Sequence, residues 1–111
     1  MRLMFYDAFD FDQDIGAWNT GNVLDMSRMF DRANWFNQDI GGWDTSKVQN
    51  MSNMFYGAFF FNQDLQNWDG SSLSDCTDFA ANALDWQAAY NNNLARTPPL
   101  SPSMIAAGCG S

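Results

Sequence analysis

The sequence predicts an α/β fold, a right-handed solenoid with short parallel strands on one side and short helices on the other. Three observations lead to it. Met1, Met26 and Met51 open segments of 25 residues whose columns agree, among them Phe5/Phe30/Phe55, Ala8/Ala33/Ala58, Phe11/Phe36/Phe61 and Trp18/Trp43/Trp68. A fixed period in the range of 20 to 50 residues, with apolar residues in constant columns, means that each unit buries its core against its neighbours. Finally, every unit holds two local patterns, one with helical spacing and one that alternates.

The helical pattern is Val48, Met51, Phe55 and Ala58, three and four residues apart and so on one face of a short helix. Ser46 with Gln49 reads as a capping box, Asn22 with Asp25 and Ser72 with Asp75 serve similarly, and Gly57 ends the element. The alternating pattern is Phe36-Asn37-Gln38-Asp39-Ile40, a short strand followed by a turn at Gly41-Gly42. Strands stacked in register, about 4.8 Å apart, form a narrow parallel sheet. A strand-plus-helix unit of this length is of the leucine-rich-repeat type.

The predicted organisation is three repeats over residues 1–75 (1–25, 26–50 and 51–75), followed by a cap helix and irregular tail over 76–111. The pattern decays after Leu73: Cys76 replaces the leading Met and the Asn-Gln-Asp signature disappears. Asp75 to Tyr90 contains neither Gly nor Pro and reads as the cap helix. Beyond it Thr97-Pro98-Pro99 and Ser101-Pro102 read as extended chain anchored by Leu100, Met104 and Ile105. At the other end Met1 occupies a repeat column, so the first unit is expected to be an interior one, with any targeting segment upstream. Its apolar face then lies open to further repeats or to end-to-end self-association.

All thirteen acidic residues are Asp, against four Arg and one Lys, for a net charge of −8. Asp favours caps and turns where Glu favours helix interiors. This acidity argues against nucleic acid and anionic membranes as partners. No apolar run reaches the 18 or so residues of a membrane span. There is no His, hence no imidazole base, and no phosphate-cradling glycine loop, so the chain reads as non-enzymatic.

The units MFDRANWFNQDIGGWDTSKV and MFYGAFFFNQDLQNWDGSSL closely resemble the BspA-like surface repeats. The resemblance covers roughly Met1 to Asp75, with departures at Asp12, at Gly70 (where Thr45 stands) and in the last unit. It implies a leucine-rich-repeat-like solenoid on secreted or cell-surface proteins linked to adhesion.

Several columns invite a chemical reading. Asp14, Asp39 and Asp64 form a ladder of like charges; they either cap loop amides, which the turn context favours, or bind Ca²⁺ through carboxylate oxygens. Asn37/Asn62 and Gln38/Gln63 read as structural amide ladders. The Trp column reads as core before it reads as a sugar-stacking row. Cys76 and Cys109, the only cysteines, allow a disulfide that pins the tail over the last unit; the alternative is a buried thiol and a loose terminus. Recognition is expected where units differ, at Gly16/Gly41/Gln66, Ala17/Gly42/Asn67 and Asn34/Phe59.

The function expected from these features is protein or glycan binding by an extracellular or cell-surface adhesion module. The alternative is a structural repeat that self-assembles into a surface layer or fibre.

Overall fold

The computed structural model describes residues 1–83 and 100–109. It overturns the expected right-handed leucine-rich-repeat-like α/β solenoid. Among the described residues there are neither strands nor a sheet, only isolated parallel bridges at Asp25–Asn50, Asn50–Asp75 and Leu65–Leu100. The short helices expected in each unit are absent as well, and the one helix described is α1, Pro102–Ala106. Turns and irregular segments make up the rest of the described residues.

The helices fail for a reason visible in the backbone. Arg28 and Arg32 in the second unit, and Asn53 and Gly57 in the third, have positive φ, as do Leu3 and Asp7 before them and Asp78 and Asn82 after. A left-handed residue every fourth position stops helix propagation, because the α-ladder needs an unbroken right-handed run. Each such residue is instead the third of a turn: Met29 N–H donates to Met26 O at 3.2 Å and Ala33 N–H to Phe30 O at 3.0 Å. A chain that turns every four residues places apolar side chains at much the same intervals as a helix does.

The amides left over point at the next unit. Arg28, Phe30 and Arg32 donate to the carbonyls of Ser52, Met54 and Tyr56 at 2.9, 2.9 and 2.7 Å. Asn53, Phe55 and Gly57 do the same toward Thr77, Phe79 and Ala81, and Leu3, Phe5 and Asp7 toward Ser27, Met29 and Asp31. Alternate residues thus satisfy their N–H groups locally and across the unit boundary, which leaves few backbone donors to be buried unpaired.

The expected strand at Phe36 to Ile40 is replaced by side-chain links. Asn37 N–H donates to Asp12 Oδ1 at 3.0 Å and Asn62 N–H to Asn37 Oδ1 at 3.1 Å. Gln38 Nε2 reaches Asp12 Oδ1 at 2.9 Å, and Gln63 Nε2 reaches Asn37 Oδ1 at 3.0 Å. A side-chain oxygen here takes the place of a ladder carbonyl, so the alternating pattern marks an amide column and not a sheet.

The core runs through the middle of the units. Phe30 lies between Phe5 and Phe55 with ring centroids 5.6 and 5.4 Å away, and Phe36 lies between Phe11 and Phe61 at 5.7 and 5.9 Å. Trp43 and Trp68 stack at 6.2 Å with planes 3° apart, and their indole N–H groups donate to Ile15 O and Ile40 O. Full burial of each such ring contributes about 1.5–3 kcal/mol. Trp18, in the first unit, is 40% exposed and packs on Phe5.

The expected cap helix differs too. Residues 76–82 repeat the turns of earlier units, with positive φ at Asp78 and Asn82, and positions 84–90 lie outside the described residues. The end of the third unit is covered instead by the segment around α1. Ser101 caps the helix by accepting from Met104 N, Pro102 occupies its first turn, and Met104 is fully buried. Cys109 is disulfide-bonded to Cys76.

Candidate functional site

The outer edge of the units carries side chains that the core does not use. Phe9, Trp35, Phe59 and Phe60 are all exposed, from 39% to 54%, and Trp35 stacks on Phe60 at 4.6 Å with planes 13° apart. The backbone brings them together: Trp35 N–H donates to Phe9 O at 3.1 Å and Phe60 N–H to Asn34 O at 3.2 Å. Beside this strip lies a cavity of about 360 Å³ lined by Phe9, Arg32, Asn34, Tyr56, Gly57, Phe59 and Asn82. Gly57 contributes no side chain, and its φ of 66° suits glycine. With the Asn34 amide turned so that its nitrogen faces them, the carbonyls of Gly57 and Arg32 accept from it at 3.1 and 3.0 Å.

One charged group is buried next to this edge. Asp31 is 2% exposed; its Oδ2 accepts from Arg28 Nη1 at 3.2 Å, while Oδ1 has no hydrogen-bond partner among the described residues and lies 3.8 Å from Arg32 Nε. Burial pushes its carboxyl above the ordinary range, Arg28 and Arg32 pull it down, and Asp7 adds to the rise. The two arginines offset only part of the cost of burying this carboxyl, with Arg32 also lining the cavity.

The Asp14/Asp39/Asp64 column is a set of loop caps. Each Oδ1 accepts the amide two residues on, from Gly16, Gly41 and Gln66, at 3.0, 3.0 and 2.8 Å. Two further columns do the same, at Asn19/Asp44/Asp69 and Asp25/Asn50/Asp75. Asp44 and Asp69 are held below the usual carboxylate range first by the hydroxyls of Ser46 and Ser71, and Asp75 first by the Thr77 amide. Among the described residues no three His, Cys, Asp or Glu side chains converge as a metal site requires.

Of the positions where the units differ, Asn34 and Phe59 line the cavity, whereas Gly16, Gly41, Gln66, Ala17, Gly42 and Asn67 do not. Phe9, Trp35, Phe60, Arg32, Tyr56 and Asn82 were not expected at a site. The available signal was the column Asp10/Trp35/Phe60, where bulky aromatics replace an acid in a variable position. Among the described residues no helix is long and apolar enough to cross a membrane.

Comparison with curated proteins and with solved structures finds no match. The family model described as "Mycoplasma protein of unknown function, DUF285" matches residues 1–94, and the chain belongs to that family.

Proposed function

We propose that the chain is a non-catalytic module that binds protein or glycan outside the cell, at the cell surface or in secreted form, and serves adhesion. The observation that carries this reading is the strip of exposed, partly stacked aromatic residues beside a cavity, on a chain whose net charge is −8. Large apolar groups held in water mark contact surfaces, and aromatic ones dominate recognition energetics. The Cys76–Cys109 disulfide fits an oxidising compartment, and the resemblance to BspA-like surface repeats points the same way. The test is adhesion of the labelled chain to cells and to immobilised matrix proteins and glycans, with a Trp35→Asp, Phe60→Asp double variant as control. The variant is expected to lose adhesion while keeping its thermal midpoint; equal adhesion by both proteins overturns the reading. Surface biotinylation of intact producing cells tests the location.

A second reading has its own support. In the first unit Leu3, Met4 and Tyr6 are exposed, and no described residue donates to the carbonyls of Arg2, Met4 or Tyr6 although their counterparts in later units are paired. This open face suits self-assembly into a layer or fibre. Concentration-dependent assembly abolished by Met4→Asp would favour it.

A further inference from the structure

The cavity exists because two columns are interrupted. Position 34 breaks a column of phenylalanine, with Phe9 one unit before and Phe59 one unit after. Position 57 breaks a column of long or polar side chains between Arg32 and Asn82. Rings of successive units stack 4.6 to 5.9 Å apart at Trp35–Phe60 and Phe36–Phe61, so phenylalanines two units apart leave a notch on the order of 10 Å wide. That is the thickness of one saturated six-membered ring with a carbon contact on each side.

The polar groups at the notch offer both donors and acceptors. The Arg32 guanidinium is half exposed; its Nε lies 3.8 Å from Asp31 Oδ1, and it makes no hydrogen bond with a described residue, so it keeps donors for a ligand. The Asn34 nitrogen is spent on backbone carbonyls, which leaves its oxygen as an acceptor. Asn82 adds an amide and Tyr56 a phenol. Arg32 is the one charged residue in the lining, and the Asp31 carboxyl 3.8 Å from its Nε offsets that charge. A neutral site on a chain of net charge −8 selects against polyanions.

Resting on the reading of the chain as a surface binding module, we propose that this notch binds a neutral hexopyranose unit of a glycan. The sugar's C–H face lies on Phe9 or Phe59, and its hydroxyls exchange hydrogen bonds with Arg32, Asn34 and Asn82. The neighbouring Trp35–Phe60 pair extends the platform to an adjoining residue of the chain.

The experiment is saturation-transfer NMR and calorimetry on the full chain with soluble neutral oligosaccharides of glucose, mannose and galactose, alongside a polyuronate and an aromatic peptide library. Saturable binding of at least one neutral oligosaccharide is expected. It should weaken about tenfold or more in Phe59→Ala and vanish in Asn34→Phe, which carries the phenylalanine column through the notch and fills it. Arg32→Gln supplies an independent variant should Asn34→Phe not fold. Absence of neutral-sugar binding at millimolar concentration, unaltered binding by the variants, or preference for the polyuronate overturns the proposal. Adhesion to a protein surface that is lost in Asn34→Phe, without oligosaccharide binding, overturns the sugar assignment and leaves the surface-binding reading standing.

Discussion

Met104 is seated directly against Gly70, where a β-carbon would meet the Met104 backbone nitrogen, Cα and Cγ, each at 2.9 Å. The equivalent residues Thr20 and Thr45 instead use their hydroxyls to reach the next unit, at Asp44 O and Asp69 O. The third unit has given up that link, and the Gly70 amide donates to Ser103 Oγ at 2.9 Å. Loss of the threonine side chain is what admits the C-terminal segment.

Restoring it should therefore expel the cap. Gly70→Thr is expected to destabilise by about 1–3 kcal/mol, the usual cost of overpacking a filled site. Urea denaturation with tryptophan fluorescence measures it, and Thr45→Gly provides the contrast, since it removes two inter-unit hydrogen bonds, to Asp69 O and from Asp69 N–H, without a clash. A Gly70→Thr protein as stable as the parent would mean that the segment does not sit there in solution.

The same segment is held covalently. Cys76 and Cys109 are 33 residues apart in sequence, and closing a loop of that size lowers the unfolded chain's entropy by roughly 3–4 kcal/mol of stability in the chain-entropy model. Reduction, or the Cys76→Ser, Cys109→Ser double variant, should lower the denaturation midpoint accordingly. Hydrogen exchange should quicken first around α1, where Met104 and Leu100 are the buried anchors.

Gly57 tests the turn geometry. Its φ is 66°, and an added β-carbon would find ordinary contact with Arg32 Cγ at 3.6 Å, so the cost of Gly57→Ala is conformational and about 1 kcal/mol. Asn53, at φ 55°, takes the opposite change. Asn53→Gly should be neutral or stabilising by a few tenths of a kcal/mol, because relief of the left-handed strain offsets the added freedom of the unfolded chain. A helix in this segment would reverse both results.

Stability should respond to pH through two opposed sets of carboxylates. Asp44, Asp69 and Asp75 are lowered below 3.8, so they contribute stability that is present above that value and lost as pH falls through their folded-state values. Asp31 is raised above 3.8; the fold prefers it protonated, and stability is lost as pH rises from 3.8 through its folded-state value. Asp31→Asn removes only the second effect. Its stability relative to the parent should increase across that rise and be flat at higher pH, as read from denaturation midpoints at a series of pH values.

How much of this was legible from residues alone follows from what each column does. Phe30, Phe55, Phe36, Phe61, Met26 and Met51 are fully buried, and their recurrence every 25 positions marked them as core. The backbone path was hidden, because the interval from Met51 through Phe55 to Ala58 suits a helix and a chain of four-residue turns alike. What separates the two is the left-handed residue, and Arg28 and Arg32 carry no sign of it as glycine would. The stretch from Phe36 to Ile40 alternates like a strand, yet its regularity serves side-chain links: Gln38 reaches back to Asp12, and the Asn37 side-chain oxygen accepts from Asn62 and Gln63 of the next unit. The cavity was hidden for another reason: it is made of side chains that are missing, at Asn34 and Gly57, between columns that look regular.

The Trp18/Trp43/Trp68 column shows that equal letters need not have equal weight. Trp68 is 1% exposed, stacks flat on Trp43 and donates its indole N–H to Ile40 O at 2.9 Å, a carbonyl that also accepts from the Trp43 backbone amide. Trp68→Phe removes ring volume from a closed stack and takes one donor from that carbonyl, for an expected loss of about 2–4 kcal/mol. Trp18 occupies the same column in the first unit but is 40% exposed, with Phe5 at 5.9 Å as its one aromatic neighbour among the described residues. Trp18→Phe should cost less, on the order of 1 kcal/mol, since a large share of the ring already faces water. Urea denaturation of both variants gives the ratio. Equal losses would mean that Trp18 is covered in solution by another unit or another copy, and the open first unit would then be the interface to pursue.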